Sequence, residues 1–405
     1  MPALPANADW PPLLLEGRTV QTAQTGVGSY ARALVRAARI IHPAPEILCD
    51  RGGSGRTQRH TAGRITRHWR ALMRRPVQAR RAGHAHGQAD LPAAFLGCGL
   101  IQGDDIFRLA QVHFDYFGTA LKVTIPGDPG LVHWCHPVPI EIAGWTNIYT
   151  VHDLIPIDNP RLSPMGGRRA ARLLLALAAR AALFITVSGH SAARLEQFLG
   201  RRVPIRDCGI GLDLDDAPSG PSSQSRPDEA PFLFIGTIER RKNLIRLIEA
   251  YRQSRSQRPL HLVGPRGEGH GEILALAQTT PGVVWADYVE RGELLARLAA
   301  AHALLFPSLS EGFGLPALEA MALGTPVLAS ATGALGEVTR GGALQVDPRD
   351  TAAMAQAIAR LDRGGDLQRD LASRGRTLSQ NYTIERFAQR LAGAYRLALG
   401  REACR

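Results

Sequence analysis

The chain has 405 residues, 45% of them apolar, which is enough for two core-bearing domains and excludes a disordered protein. Its five cysteines are scattered with no CxxC pair, which speaks against a disulfide framework or a zinc module and for a reducing cytosol. Net charge is +12, carried almost wholly by arginine, since Lys122 and Lys242 are the only lysines.

The N-terminus lacks a basic start followed by an apolar signal core. The most apolar helical run, residues 173–187, is interrupted by Arg180 and too short for a bilayer, so a soluble or peripheral protein is expected. Residues 13–16 read as a first strand, residues 25–29 as a tight glycine loop containing Gly26 and Gly28, and residues 30–41 as a helix. A glycine turn after a first strand either lets the backbone approach a ligand or simply packs. Residues 47–50 read as a second strand. Residues 51–90 then hold ten arginines against one acid.

Within that basic segment, residues 64–75 place Ile65, Trp69, Leu72 and Met73 on one helical stripe with Arg67, Arg70, Arg74 and Arg75 around it. Three readings stand: a helix on an anionic membrane surface, a core helix with a solvated face, or an unfolded arm. Residues 131–134, 147–151 and 183–187 read as strands whose ends line the crevice of an open parallel sheet. A His-Asp pair at such an end, His152 and Asp153, can orient and charge an imidazole, or the histidine merely caps a loop.

Residues 212–231, rich in Pro, Ser and Asp, read as a connection between domains. A strand at 232–235 then runs into Gly236-Thr237-Ile238-Glu239-Arg240-Arg241-Lys242-Asn243 and a helix. Arg241 and Lys242 on such a loop can neutralise a diphosphate, or are simply solvated. The densest stretch is 303–330: a four-residue apolar strand, a loop Glu311-Gly312-Phe313-Gly314-Leu315, a helix opened by Pro316 and closed by Gly324, and another strand. Strand, glycine loop and helix start make an anion cradle. Glu311 and Glu319 bracket it, either to accept from sugar and ribose hydroxyls or as ordinary helix-start acids.

The string SEGFGLPALEAMALGTPV, residues 310–327, resembles the donor site of glycosyltransferase family 4, retaining nucleotide-sugar enzymes of the GT-B fold. The blocks HWCHPVPI, IYTVHDLIPI and ITVSGHS resemble the N-terminal half of its bacterial mannosyltransferases. GTIERRKN resembles the segment whose basic pair binds the donor diphosphate, and WADYV the strand end whose backbone meets the nucleobase. His136 stands where an aromatic residue is commoner. Thr237 stands where other branches carry Arg, so Arg241 has to supply the guanidinium, and Arg240 replaces a proline.

The resemblance implies an α/β protein with two Rossmann-like doubly wound domains, residues 1–215 for the acceptor and 230–382 for the nucleotide sugar. A last helix, 383–405, would cross back. It implies His133, His152, Asp153, Lys242 and Glu311 as catalytic residues. Donor contacts would come from Gly26, Gly28, Arg241, Lys242, Tyr288, Val289, Glu311, Gly312, Phe313, Gly314, Leu315 and Glu319. The expected reaction is retaining transfer from GDP-mannose to a lipid-linked saccharide, on the inner face of the cytoplasmic membrane, for surface polysaccharide. No cofactor or metal is expected, because no DxD-type acidic pair ends a strand and Arg241, Lys242 and the helix dipole can carry the leaving charge. The alternatives are a UDP-sugar donor, or a non-catalytic basic protein for nucleic acid or membrane. The intact loop with Glu311, Glu319 and Lys242 speaks against a nucleic-acid partner.

Overall fold

The computed structural model describes residues 10–19, 26–50, 61–73, 75–84, 95–163, 166–217 and 229–400. The first half supplies strands β1 (Leu13–Glu16), β2 (Glu46–Asp50), β3 (Val77–Gln78), β4 (Arg80–His84), β5 (Gly99–Gly103), β6 (Leu121–Thr124), β7 (Leu131–Trp134), β8 (Ile140–Ile142), β9 (Thr146–Val151), β10 (Leu183–Thr186) and β11 (Ile205–Asp207). An eight-stranded sheet runs β11-β10-β9-β7-β1-β2-β5-β4, and a small parallel sheet runs β3-β6-β8. Helices cover both faces of the large sheet, so β1, β7 and β10 are buried along their whole length. That is why they read as unbroken apolar runs rather than alternating ones. Alternate residues feed two cores: Leu13, Leu15 and Leu131 pack on one side, Leu14, Val132 and Trp134 on the other. The polar edge strand β4, antiparallel to β5, leaves no apolar pattern in the sequence.

The second half supplies β12 (Phe232–Ile235), β13 (Leu260–Val263), β14 (Val283–Ala286), β15 (Ala303–Phe306), β16 (Val327–Ser330) and β17 (Leu344–Val346). They form one parallel sheet in the order β14-β13-β12-β15-β16-β17. The order reverses between β12 and β15, and ligands of open α/β sheets bind in the crevice beyond such a point. The loops leaving those two strands are Gly236–Asn243 and the residues 307–314. The last helix, Ile384–Ala398, packs on the first-domain helix Gly26–Ile41, with Phe387 edge-on to Tyr30 at 5.7 Å. Among the described residues no helix is long and apolar enough to cross a membrane.

Candidate active site

The turn after β12 is a short 3-10 helix, Arg240–Lys242, closed by Asn243 in the left-handed conformation. Asn243 Nδ2 donates to the carbonyls of Pro307 (3.1 Å) and Pro348 (2.6 Å), tying this turn to the exit of β15. Arg241 accepts from the Leu309 amide at 2.9 Å through its own carbonyl. The two loops are thereby one rigid wall. Gly314, at φ 100°, starts the helix Leu315–Leu323, and a Cβ there would lie 2.5 Å from Leu335. Gly312 faces the other domain: a Cβ there would sit 2.7 Å from the His152 carbonyl oxygen.

Glu311 lies at the centre of this wall. Lys242 Nζ donates to its Oε1 at 2.5 Å and Arg241 Nη1 to its Oε2 at 2.8 Å. Arg241 also donates to Glu239 Oε1 through Nη2 (2.7 Å) and to the Ser310 carbonyl (3.0 Å). Burial pushes the Glu311 carboxyl up, but Lys242 and Arg241 outweigh it and hold it below the ordinary carboxylate value. Lys242 is also lowered, by burial first and by Arg241 next, against the pull of Glu311. The two directions agree with the geometry, because the carboxylate faces two cations while Lys242 is buried beside a second cation. Lys242 further sits over the Phe306 ring at 5.0 Å.

Glu319, one turn into the helix, is 3% exposed. Its Oε1 accepts from Arg291 Nη2 at 2.6 Å, and the same nitrogen donates to the Asp213 carbonyl at 3.1 Å. Arg36, on the helix Gly26–Ile41, reaches the Asp213 carboxylate at 2.5 Å. Across the crevice, the first domain presents His152 and Asp153 beyond β9. His152 Nε2 is 2.7 Å from the Cys135 carbonyl, which only accepts, so Nε2 carries the proton and Nδ1 is left as an acceptor. Burial lowers this imidazole to about 4, so it is neutral at physiological pH. Asp153 Oδ1 accepts from the Ile155 amide at 3.0 Å, and burial raises its pKa. The Ser188 hydroxyl bridges the domains to the Gly312 carbonyl at 3.1 Å.

Residues 219–378 match the family model described as glycosyl transferases group 1. The second domain carries the group 1 glycosyltransferase pattern. The O-antigen chain mannosyltransferase B of Escherichia coli is 33% identical over 172 residues, 41% of this chain and 45% of that protein. A D-inositol 3-phosphate glycosyltransferase of Gordonia bronchialis is 30% identical over 278 residues, 59% of this chain and 58% of that protein. The chain thus aligns with about half the length of these relatives. Among solved structures, the sucrose-phosphate synthase of Thermosynechococcus elongatus matches with a TM-score of 0.71 at 21% identity, over 96% of this chain and 99% of that one. The HepE protein of Anabaena, in complex with UDP and glucose, matches with a TM-score of 0.64 at 17% identity, over 95% and 99%. The fold is GT-B, two Rossmann-like α/β domains facing across a cleft.

In the second domain, Arg241, Lys242, Glu311, Gly312, Phe313, Gly314, Leu315 and Glu319 share the wall described above. Tyr288 and Val289 follow β14; Tyr288 is exposed and Val289 packs partly on the core. Four expectations need correction. His133 is not on the cleft: it is fully buried, its Nδ1 and Nε2 each 2.7 Å from the hydroxyls of Tyr395 and Thr150. Gly26 and Gly28 are not in a loop, since the helix already begins at Gly26; residues 20–25 lie outside the described ones. Arg67, expected on the membrane face, is instead bound to Asp105 at 2.5 Å. Arg74 lies outside the described residues, whereas Trp69, Arg70 and Arg75 are partly or wholly exposed. His136 joins Glu16 and Cys135 in a group whose ligand-type atoms lie within 4.8 Å of one another. Burial holds the Cys135 thiol protonated, so it donates to Glu16.

Arg291 escapes the sequence reading, although one signal was present. It is the first residue of the helix Arg291–Ala300, where the dipole favours acids over cations. Asp213 escapes it too, for it sits in an acidic connection with no pattern to single it out, and Glu239 lies within GTIERRKN without a signal that it would hold Arg241.

Proposed function

We propose that the chain is a retaining, metal-independent glycosyltransferase that moves mannose from GDP-mannose to a lipid-linked saccharide on the inner face of the cytoplasmic membrane. One observation carries this reading: Arg241, Lys242, Glu311 and Glu319 converge at the crevice beyond β12 and β15, opposite His152 and Asp153. The donor diphosphate reaches Arg241 and Lys242 beside the amides that open the helix Leu315–Leu323, and shares the two cations with Glu311. Glu319 accepts from the ribose. The neutral Nδ1 of His152 accepts from a sugar hydroxyl.

The C1–phosphate bond breaks as the C1–acceptor bond forms on the same face. The acceptor's proton passes to the departing diphosphate, whose growing charge Arg241 and Lys242 stabilise. Both oxygens of Glu311 are held by cations, which suits a positioning group rather than a nucleophile. A lipid surface is supported by Trp69 and Met73, exposed to 66% and 57% on or just beyond a helix that also carries Arg70.

A second reading, with a UDP-sugar donor, is favoured by the Anabaena structure bound to UDP and glucose. A panel of nucleotide sugars separates the two. GDP-mannose at a hundred times its Kd is expected to raise unfolding stability by about 2.7 kcal/mol and to be slowly hydrolysed. A response confined to UDP-sugars moves the donor to the second reading. No response to any nucleotide sugar ends both.

A further inference from the structure

Glu319 has a difficult task if it is to hold a ribose. Its carboxylate is almost wholly enclosed, and only while ionised are both of its oxygens pure acceptors. Burial raises its pKa, and Arg291 is the strongest influence opposing that rise. The other charged groups acting on it are Arg32 and Asp213, with Asp216 acting on Arg291. Arg291 takes Oε1 alone, and among the described residues nothing hydrogen-bonds to Oε2.

We infer that Arg291 is a positioning residue for the nucleotide: by clamping Oε1 of Glu319 it turns Oε2 toward the ribose diol. This rests on the donor reading above and adds to it a residue outside the crevice loops. Three features support it. Arg291 stands at a helix start, where the dipole disfavours a cation, so the charge is placed there against the local preference. Its guanidinium is mostly buried. It is itself anchored, by the bond to the Asp213 carbonyl, and Asp213 is held by Arg36 of the first domain. The carboxylate that meets the nucleotide is therefore braced from the segment that joins the domains.

The test is calorimetry with free GDP and UDP and with the 2′,3′-dideoxy form of whichever binds more tightly. Arg291→Met is expected to weaken the ribose nucleotide about tenfold or more, as loss of a charged hydrogen bond does, and the dideoxy form hardly at all. The preference for the diol would then collapse, as in Glu319→Gln. Arg291→Lys, which keeps the charge, is expected to recover part of that preference. Equal weakening of both nucleotides would reduce Arg291 to a packing role and overturn the inference, as would no weakening. If methionine prevents folding, Arg291→Gln is measured in the same way. A wild type silent toward both ribose nucleotides overturns the donor reading and the inference with it.

Discussion

Lys242 is a buried ammonium paired with the Glu311 carboxylate, and in the proposed complex it meets the donor diphosphate as well. Charge on the leaving group grows toward the transition state, so the ammonium should favour that state over bound donor. Lys242→Ala is expected to cut turnover on the order of a hundredfold while weakening donor binding less. A near-normal rate with a raised KM would contradict it. His133 follows a different logic. Burial lowers it to about 3, so between pH 6.5 and about 3 the unfolded chain binds a proton that the folded chain does not. Stability is therefore lost as pH falls through that window, partly offset by Asp50, which burial raises to about 6. His133→Ala is expected to cost about 2–4 kcal/mol at neutral pH, through a cavity and the unpaired Tyr395 hydroxyl, Thr150 keeping its bond to Tyr30, and to flatten the acid limb. Denaturant melts at pH 7 and 5 check this; full stability with lost turnover would return His133 to the catalytic set. The sequence shows His133 near a strand end but not which face it takes, and its partner Tyr395 is 262 residues away.

The second-domain wall is legible in the sequence because its strand, loop and helix are consecutive, with Pro316 and Gly324 marking the helix ends. The start of the first-domain helix is not. Gly26, Gly28 and Ser29 have turn-forming chemistry, but the helix Gly26–Ile41 buries its apolar face on the sheet and the tertiary gain overrides the local preference. The basic helix Thr61–Leu72 shows a subtler limit. Periodicity finds its arginine face without showing that Asp105, beyond the next strands, binds Arg67. Its membrane charge then rests on Arg70 and Arg75 among the described residues, each contributing about 1 kcal/mol near an anionic surface. Arg70→Gln with Arg75→Gln is expected to release the protein from anionic vesicles in a salt-dependent way. Trp69→Ser should weaken attachment with little salt dependence. Unchanged sedimentation of the double variant would mean that this face does not meet lipid.

At the scale of the whole molecule, each half of the site sits on a different domain, so the distance between domains controls whether the site is complete. The alternation of strands and helices makes the two sheets legible, but contacts between domains join residues far apart in sequence and leave no local pattern. One such contact is Glu337, on the second-domain helix Gly333–Val338. Its carboxylate accepts from the amides of Gly189 (2.8 Å) and His190 (2.6 Å), at the start of the first-domain helix Gly189–Leu199. A carboxylate at a helix N-terminus contributes about 0.3–1 kcal/mol, and up to ~2 where partly enclosed. This contact lies beside the Ser188–Gly312 bridge, so losing it favours the open arrangement without touching the donor residues. A change of 1.4 kcal/mol is tenfold in such an equilibrium. Glu337→Ala is thus expected to lower kcat/KM by up to about tenfold and leave free nucleotide binding nearly unchanged. It should also enlarge the donor-free protein in small-angle scattering. Glu337→Gln, which keeps one acceptor but no charge, should fall between. If Glu337→Ala scatters and turns over like wild type, other contacts such as the Ser188 bridge and the last helix hold the domains, and Glu337 is only a helix cap.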